Sequence, residues 1–290
     1  MPGGPTMRTP CPALQLSHDI ERILLQDGIR ESRAEAMLIV EHVIGCDRAR
    51  ILSGLAGDVA LEQTQRAYEI VCGRLSGAPL AHILGYAWFY SHRFRMAPGV
   101  MVPRPETEIL VDESIKIIDK ANEPARVLDL YTGCGNVILS VALEKAGIQG
   151  TGVDIDPVAL DCARLNLADL ECDSVLFLLA DAEEFLGNSP RKYHLVTANP
   201  PYIPHSEIER LQPEVRLHEN SIALNGGADG LDHYRMLAGK TPSAILPGGT
   251  LLAEIGAGQE KTISGIFSGW SSVRFVPDLN GISRVLVARP

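Results

Sequence analysis

The chain has 290 residues, 26 Lys+Arg against 36 Asp+Glu, a net charge of −10, 46 % apolar residues and 21 % charged residues. These are globular proportions that allow a sizeable core and exclude a wholly disordered chain. The longest apolar runs fall well short of the roughly 18–20 residues a membrane span needs, so no membrane partner is expected.

Six cysteines, at 11, 46, 72, 134, 162 and 172, show no CxxC spacing, so no metal site is expected and a cytoplasmic, reduced protein is the natural reading. The charge is unevenly placed. Residues 1–100 carry 10 Arg, no Lys and 10 acids, whereas residues 101–290 hold 16 bases and 26 acids. An acidic half disfavours binding that depends on neutralising phosphates, so no nucleic-acid partner is expected.

In chain order, residues 1–16 are rich in Pro and Gly without the apolar centre of a signal peptide, and read as a disordered lead-in. Residues 17–78 read as a helical bundle suited to recognition. Ile20, Ile23 and Leu24 share one helical face. Ser32-Arg33-Ala34-Glu35 has the form of a capping box opening a helix through Met37, Val40 and Ile44, and Tyr68, Val71 and Leu75 mark another apolar face. Residues 79–105 change period: His82-Ile83-Leu84-Gly85 and Phe89–Met96 read as short strands of a hairpin linker. A helix is expected from Glu106 to about Ala121.

From there strands and helices alternate over 106–290. Strands are expected at Val127–Tyr131, Thr151–Ile155, Val175–Ala180, His194–Ala198 and Thr250–Ile255, which implies a parallel sheet with helices on both faces. Ser272–Val276 and Arg284–Ala288 are too closely spaced for a parallel crossover, so they should form an antiparallel hairpin turned at Asn280-Gly281.

The first of these strands runs into Tyr131-Thr132-Gly133-Cys134-Gly135, where glycines allow a ligand close to the backbone. The second ends at Asp154, a carboxylate able to accept both hydroxyls of a ribose. This pairing serves a nicotinamide cofactor or S-adenosylmethionine, and the lack of a G-x-G-x-x-G favours the second. Asp181-Ala182 ends the third strand, as an adenine contact or as a helix cap. Asn199-Pro200-Pro201-Tyr202 follows the fourth. Its prolines stiffen the backbone and remove donors, leaving the Asn199 side-chain oxygen and the Pro200 carbonyl as paired acceptors for a planar NH₂, with Tyr202 closing one face.

Placed so, NPPY resembles the amino-methyltransferases of class I, whose seven-stranded sheet ends in an antiparallel hairpin. Val102-Pro103-Arg104-Pro105-Glu106-Thr107-Glu108, the lead-in His82–Gly85 with Phe89, Pro213-Glu214-Val215, Gly226–Leu231, Glu254-Ile255-Gly256 with Gln259, and Asp278-Leu279 to Arg284-Val285 are similar to the HemK/PrmC family of protein-(glutamine N5) methyltransferases. The resemblance covers residues 17–290. It implies a doubly wound α/β methyltransferase domain behind a small helical bundle, S-adenosylmethionine as cofactor, and the glutamine of the Gly-Gly-Gln motif of class I release factors as substrate. It places Asn199, Pro200 and Tyr202 at the chemistry, with Pro201 beside them. Tyr131, Thr132, Gly133, Cys134, Gly135, Asp154, Asp181, Ala182 and Asn199 are placed around the cofactor. Arg104 and Glu106 come at the border of the site, as substrate contacts or as an ion pair fixing the interdomain angle.

Three positions depart from the family pattern: Tyr131 stands where Gly is usual, Asn220 follows Glu219 where Pro is usual, and Ala182 replaces a bulkier residue. They leave open a relative acting on another amide or amine, such as a small metabolite, and, less favoured by the charge, a nucleic-acid amino-methyltransferase. A monomer is expected.

Overall fold

The computed structural model describes residues 11–119, 124–188 and 192–290, and the chain divides into two units, one ending at Leu84 and the other beginning at Gly85. The first unit is helical, with its main helices at Ala13–Gln26, Ser32–Ile44 and Leu61–Leu75. Of the lead-in expected at 1–16, residues 1–10 lie outside the described residues. Ala13–Leu16 are already helical, because Leu16, Ile20 and Leu24 form one fully buried stripe at i, i+4 and i+8. The expected capping box is not formed. Glu31 takes the cap position without a side-chain bond, and Glu35 instead accepts from Arg74 Nε and Nη2 at 2.8 and 3.2 Å.

The division falls inside the segment read as a linker. Leu80–Leu84 is a helical turn rather than a strand, since the Pro79 carbonyl accepts from the His82 and Ile83 amides. In the second unit, Phe89–Met96 is not one strand. Tyr86–Phe89 and His92–Arg95 form a hairpin turned at Tyr90 and Ser91, both at positive φ. No glycine marks this turn; Glu108 holds it by accepting from the Tyr90 amide at 2.8 Å. The next helix is Glu108–Ile118, preceded by a 3₁₀ turn at Pro105–Thr107; the expected end near Ala121 lies outside the described residues.

Seven strands form the sheet: β1 Arg126–Leu130, β2 Gln149–Asp154, β3 Val175–Leu179, β4 Tyr193–Ala198, β5 Ile245–Glu254, β6 Ser272–Pro277 and β7 Ser283–Arg289. Their order is β3-β2-β1-β4-β5-β7-β6, parallel from β3 to β5, with β7 antiparallel to both its neighbours. The β6–β7 hairpin turns at Asn280-Gly281 as expected, where Asp278 Oδ1 accepts from the Asn280 and Ile282 amides. Two cores flank the sheet, one around Tyr234, Phe267 and Leu251, the other around Phe94, Leu110 and Ile138. The chain leaves β1 for one side of the sheet and returns to β4 on the other. The crevice beyond the carboxyl ends of β1 and β4 is therefore a topological switch point.

Candidate active site

The ends of four strands supply the site. After β1, Tyr131 turns the chain at φ +58, and the loop closes through the Gly135 amide to the Thr132 carbonyl at 2.8 Å. Gly135 sits at φ +80, and a Cβ there would lie 2.9 Å from the Phe177 ring, so only glycine starts the following helix, Asn136–Glu144. Asp129 anchors the loop from beneath. It is buried and accepts from Thr132 Oγ1 and Thr197 Oγ1, each at 2.6 Å; burial pushes its carboxyl up to about 6 against those bonds. Cys134 is buried, its thiol raised by desolvation, and its carbonyl accepts from Asn166.

Asp154 ends β2. Its Oδ2 accepts from the Gly133 amide at 2.8 Å and its Oδ1 from the Asp156 amide at 2.9 Å. Burial raises its carboxyl while these amides oppose the shift.

Asn199-Pro200-Pro201-Tyr202 leaves β4 and is gripped by two segments. Gln259 donates to the Tyr202 carbonyl at 3.2 Å while accepting from the Gly256 amide. Gly230, at φ +77, lies so close that a Cβ would meet the Tyr202 carbonyl at 2.4 Å. The Gly226–Leu231 segment is thus a backbone-width seat for the NPPY turn.

Three cavities meet at this point. The first is bordered by Tyr131, Gly133, Asp154, Ile155, Asn199 and Ile222 among others. The second is bordered by Arg104, Asn199, Pro200, Tyr202, Leu211 and Glu219 among others. The third lies over the loop itself, from Asp129 and Thr132 to Cys134, and also reaches Asn199. Asn199 borders all three.

The structure thus brings together Tyr131, Thr132, Gly133, Cys134, Asp154, Arg104 and the NPPY turn. Gly135 sits behind them as the cap of the helix. Asp181 and Ala182 border none of these cavities: Asp181 Oδ1 caps the helix Ala182–Asn188 by accepting from the Glu183 and Glu184 amides, and Ala182 is buried in the core. Arg104 and Glu106 do not pair with each other. Arg104 Nη2 binds Glu219 Oε1 at 2.5 Å, and Glu106 faces Arg284 at 4.0 Å.

Residues the sequence reading did not single out for the site include Ile155 and Ile222, each about half exposed on the walls of the first cavity, and His233, whose Nδ1 lies 3.0 Å from Tyr131 Oη. The only sequence signal for Ile155 was its place directly after the β2 acid. Thr107 and Glu254 appeared only inside family-like segments; they prove to be joined by a hydrogen bond next to Asn199. Asn220 joins two walls of the first cavity, its amide donating to the Gly99 carbonyl and its Nδ2 to Asp156 Oδ2, both at 2.9 Å.

Comparison with known proteins follows the same division of the chain. The PrmC N-terminal domain family matches residues 15–85 and the Methyltransferase small domain family residues 107–217. Release factor glutamine methyltransferases of Cereibacter sphaeroides and Caulobacter vibrioides are 36 % and 35 % identical, each over 90 % of this chain and 92 % and 90 % of their own length. Among solved structures, a T. thermophilus 16S rRNA N2 G1207 methyltransferase in complex with AdoMet and guanosine shares the fold at a TM-score of 0.51 and 16 % identity, over 70 % of this chain and 49 % of that one. With sequence similarity running through both units and nearly the full length of its relatives, the chain belongs to the release factor glutamine methyltransferase family.

Proposed function

We propose that this chain transfers a methyl group from S-adenosylmethionine to the side-chain amide nitrogen of a glutamine, in the Gly-Gly-Gln motif of class I peptide chain release factors. The observation that carries the reading is the place of Asn199, where the three cavities meet. On one side lies a carboxylate suited to a ribose, on the other an apolar recess suited to an extended acceptor chain. The relatives' names give a release factor glutamine as their acceptor. Neither the small-metabolite nor the nucleic-acid alternative has an observation in its favour.

The residues present fit the cofactor. Each Asp154 oxygen already accepts one backbone amide and retains a lone pair, so a ribose diol can donate to both. Ile155 and Ile222 offer apolar surface to a purine in place of the Asp181-Ala182 contact expected from the sequence. Gly133 leaves the floor of the loop open, with nothing near its missing Cβ. When bound, S-adenosylmethionine supplies a methyl carried on a sulfonium, which needs no further activation.

The chain's own residues position the acceptor. Asn199 Nδ2 donates to Thr107 Oγ1, which leaves Oδ1 to accept one N–H of the substrate amide. The Pro200 carbonyl accepts the other, so the amide plane is fixed and the nitrogen faces the first cavity. Tyr202 packs beside them. Burial pushes its hydroxyl up to about 12, so it stays neutral near pH 7 and acts through its ring. Arg104, paired with Glu219, forms the polar edge of the acceptor recess. The helical unit ending at Leu84 is read as the part that recognises the body of the protein substrate.

The test is transfer of label from methyl-labelled S-adenosylmethionine to a purified class I release factor. The expected result is label on the wild-type factor and none on a factor whose Gly-Gly-Gln glutamine is replaced by alanine. No label on either factor contradicts the proposal.

A further inference from the structure

Beside the NPPY turn, Thr107 Oγ1 donates to Glu254 Oε2 at 2.6 Å, and Asn199 Nδ2 donates to Thr107 Oγ1 at 3.4 Å. Thr107 and Glu254 are 2 % and 3 % exposed. The two residues come from distant parts of the chain, the 3₁₀ turn before the Glu108–Ile118 helix and the end of β5.

A hydroxyl has one proton. While Glu254 is ionised it can only accept, so it takes the Thr107 proton. Thr107 can then only accept from Asn199, which fixes the amide with NH₂ toward Thr107 and Oδ1 toward the cavities. Once Glu254 is protonated it can donate to Thr107, and the Thr107 proton becomes free to point at Asn199. The amide then gains by turning over, and its NH₂ faces the NH₂ of the substrate: donor against donor.

We propose that Thr107 and Glu254 are positioning residues that set the orientation of the Asn199 carboxamide, and that ionised Glu254 holds it in the orientation that accepts the substrate. This rests on the reading of Asn199 as the group that holds the acceptor amide.

The surroundings place the switch in a useful range. Glu254 is faced by Thr107, Glu106 and Arg104 from the segment before the Glu108–Ile118 helix, by Arg284 of β7, and by Tyr202 of the NPPY turn. Tyr234, from the helix Asp232–Ala244, donates its hydroxyl to the Glu254 carbonyl at 2.8 Å. Burial raises the carboxyl most and Glu106 adds to it; the Thr107 bond, Arg284 and Arg104 oppose, leaving it at about 7. Loss of the proton above that value is what the geometry needs.

The experiment measures single-turnover methylation at saturating S-adenosylmethionine from about pH 5.5 to 9, for wild type, T107V, T107S and E254Q, with cofactor affinity of each by calorimetry. Wild type should lose rate on the acid side with a midpoint near the Glu254 ionisation. E254Q should be slower by about tenfold to a hundredfold above pH 8 and lack that acid limb. T107V should show a similar loss, and T107S should recover most of it, with cofactor affinity little changed in all three. Rates of E254Q and T107V close to wild type, an acid limb that survives in E254Q, or a T107V loss that T107S fails to recover would overturn the proposal.

A second readout needs no acceptor. In protein with ¹⁵N-labelled asparagine, the Asn199 side-chain NH₂ resonance, assigned by its absence in N199A, should shift with the same midpoint in wild type and stay fixed in E254Q. An unshifted resonance in wild type contradicts the relay whatever the substrate is. A shifted resonance with no methylation of release factor contradicts the proposed substrate and leaves the relay standing.

Discussion

Tyr131 Oη lies 3.0 Å from His233 Nδ1, with the two rings edge to face at 5.2 Å, and this pair accompanies a non-glycine residue held at φ +58 in the cofactor loop. A left-handed backbone at an aromatic residue costs on the order of 1 kcal/mol, so the side chain must be held by its surroundings. Burial lowers the His233 imidazole, which favours its neutral form near pH 7 and leaves a ring nitrogen able to accept from the tyrosine. Y131F deletes this one bond. Its denaturant midpoint should fall by the equivalent of ~1 kcal/mol. H233A, which also removes the ring contact, should weaken cofactor binding several-fold in calorimetry. Unchanged affinity in H233A would show that the pair does not shape the pocket.

Asn220 stands where the family pattern has proline, and its backbone explains why both residues fit. Its φ is −64 and the preceding Glu219 is extended at φ −105, ψ 146, both suited to a Glu-Pro sequence. N220P should therefore keep the fold, with a melting temperature lowered by the loss of its hydrogen bonds. It removes the bonds to Gly99 and Asp156 across the first cavity. Cofactor dissociation, followed by stopped flow, should be several-fold faster. A dissociation rate equal to that of wild type would show that the two bonds do not restrain the cavity wall.

Stability should fall as pH rises from about 4.5 to 7. Asp129 and Glu254 are raised to about 6 and 7, while their unfolded values are those of ordinary carboxyls. At these two groups the folded chain binds more protons in this window, and the sign of the linkage makes their contribution largest at the acid end and lost as pH passes the folded values, while the lowered His233 contributes in the opposite sense below its ordinary value. Glu113, Asp169, Asp229 and Asp278 are lowered instead, so their contributions disappear only below the usual carboxylate range and oppose the trend there. Melting temperature against pH should show a smaller slope between pH 6 and 7.5 in E254Q. An identical slope would mean that Glu254 titrates outside that window.

N199A removes the acceptor at the junction of the cavities but leaves the Asp154 end intact. Turnover should drop by about a hundredfold or more, with cofactor affinity within a few-fold of wild type. Equal losses in turnover and cofactor affinity would place Asn199 in cofactor binding rather than acceptor orientation.

Much of the second unit was legible in the sequence because strong periodicity and punctuation coincide there. Each expected strand overlaps an observed one, and the Asn280-Gly281 turn and the switch-point residues Asp154 and Asn199 stand where the alternation put them. The first unit and the segment after it were less legible. Leu80–Leu84 is too short for a period to distinguish helix from strand, and the Tyr90-Ser91 turn carries no glycine because Glu108 and Asp112 hold Tyr90 from another element. In the site, Asp181 was ambiguous between ligand contact and cap, and its side chain is used as the cap. Thr107, Glu254 and His233 were illegible as site residues. Their roles depend on contacts across 92, 147 and 102 positions of chain, which local pattern does not encode.

The central claim is tested most directly by mass spectrometry of a class I release factor incubated with this protein and S-adenosylmethionine. One methyl group on the glutamine of the Gly-Gly-Gln peptide, strongly reduced over the same incubation when N199A replaces the wild-type enzyme, is the expected result. An unmodified glutamine alongside cofactor binding to the wild-type protein would contradict it.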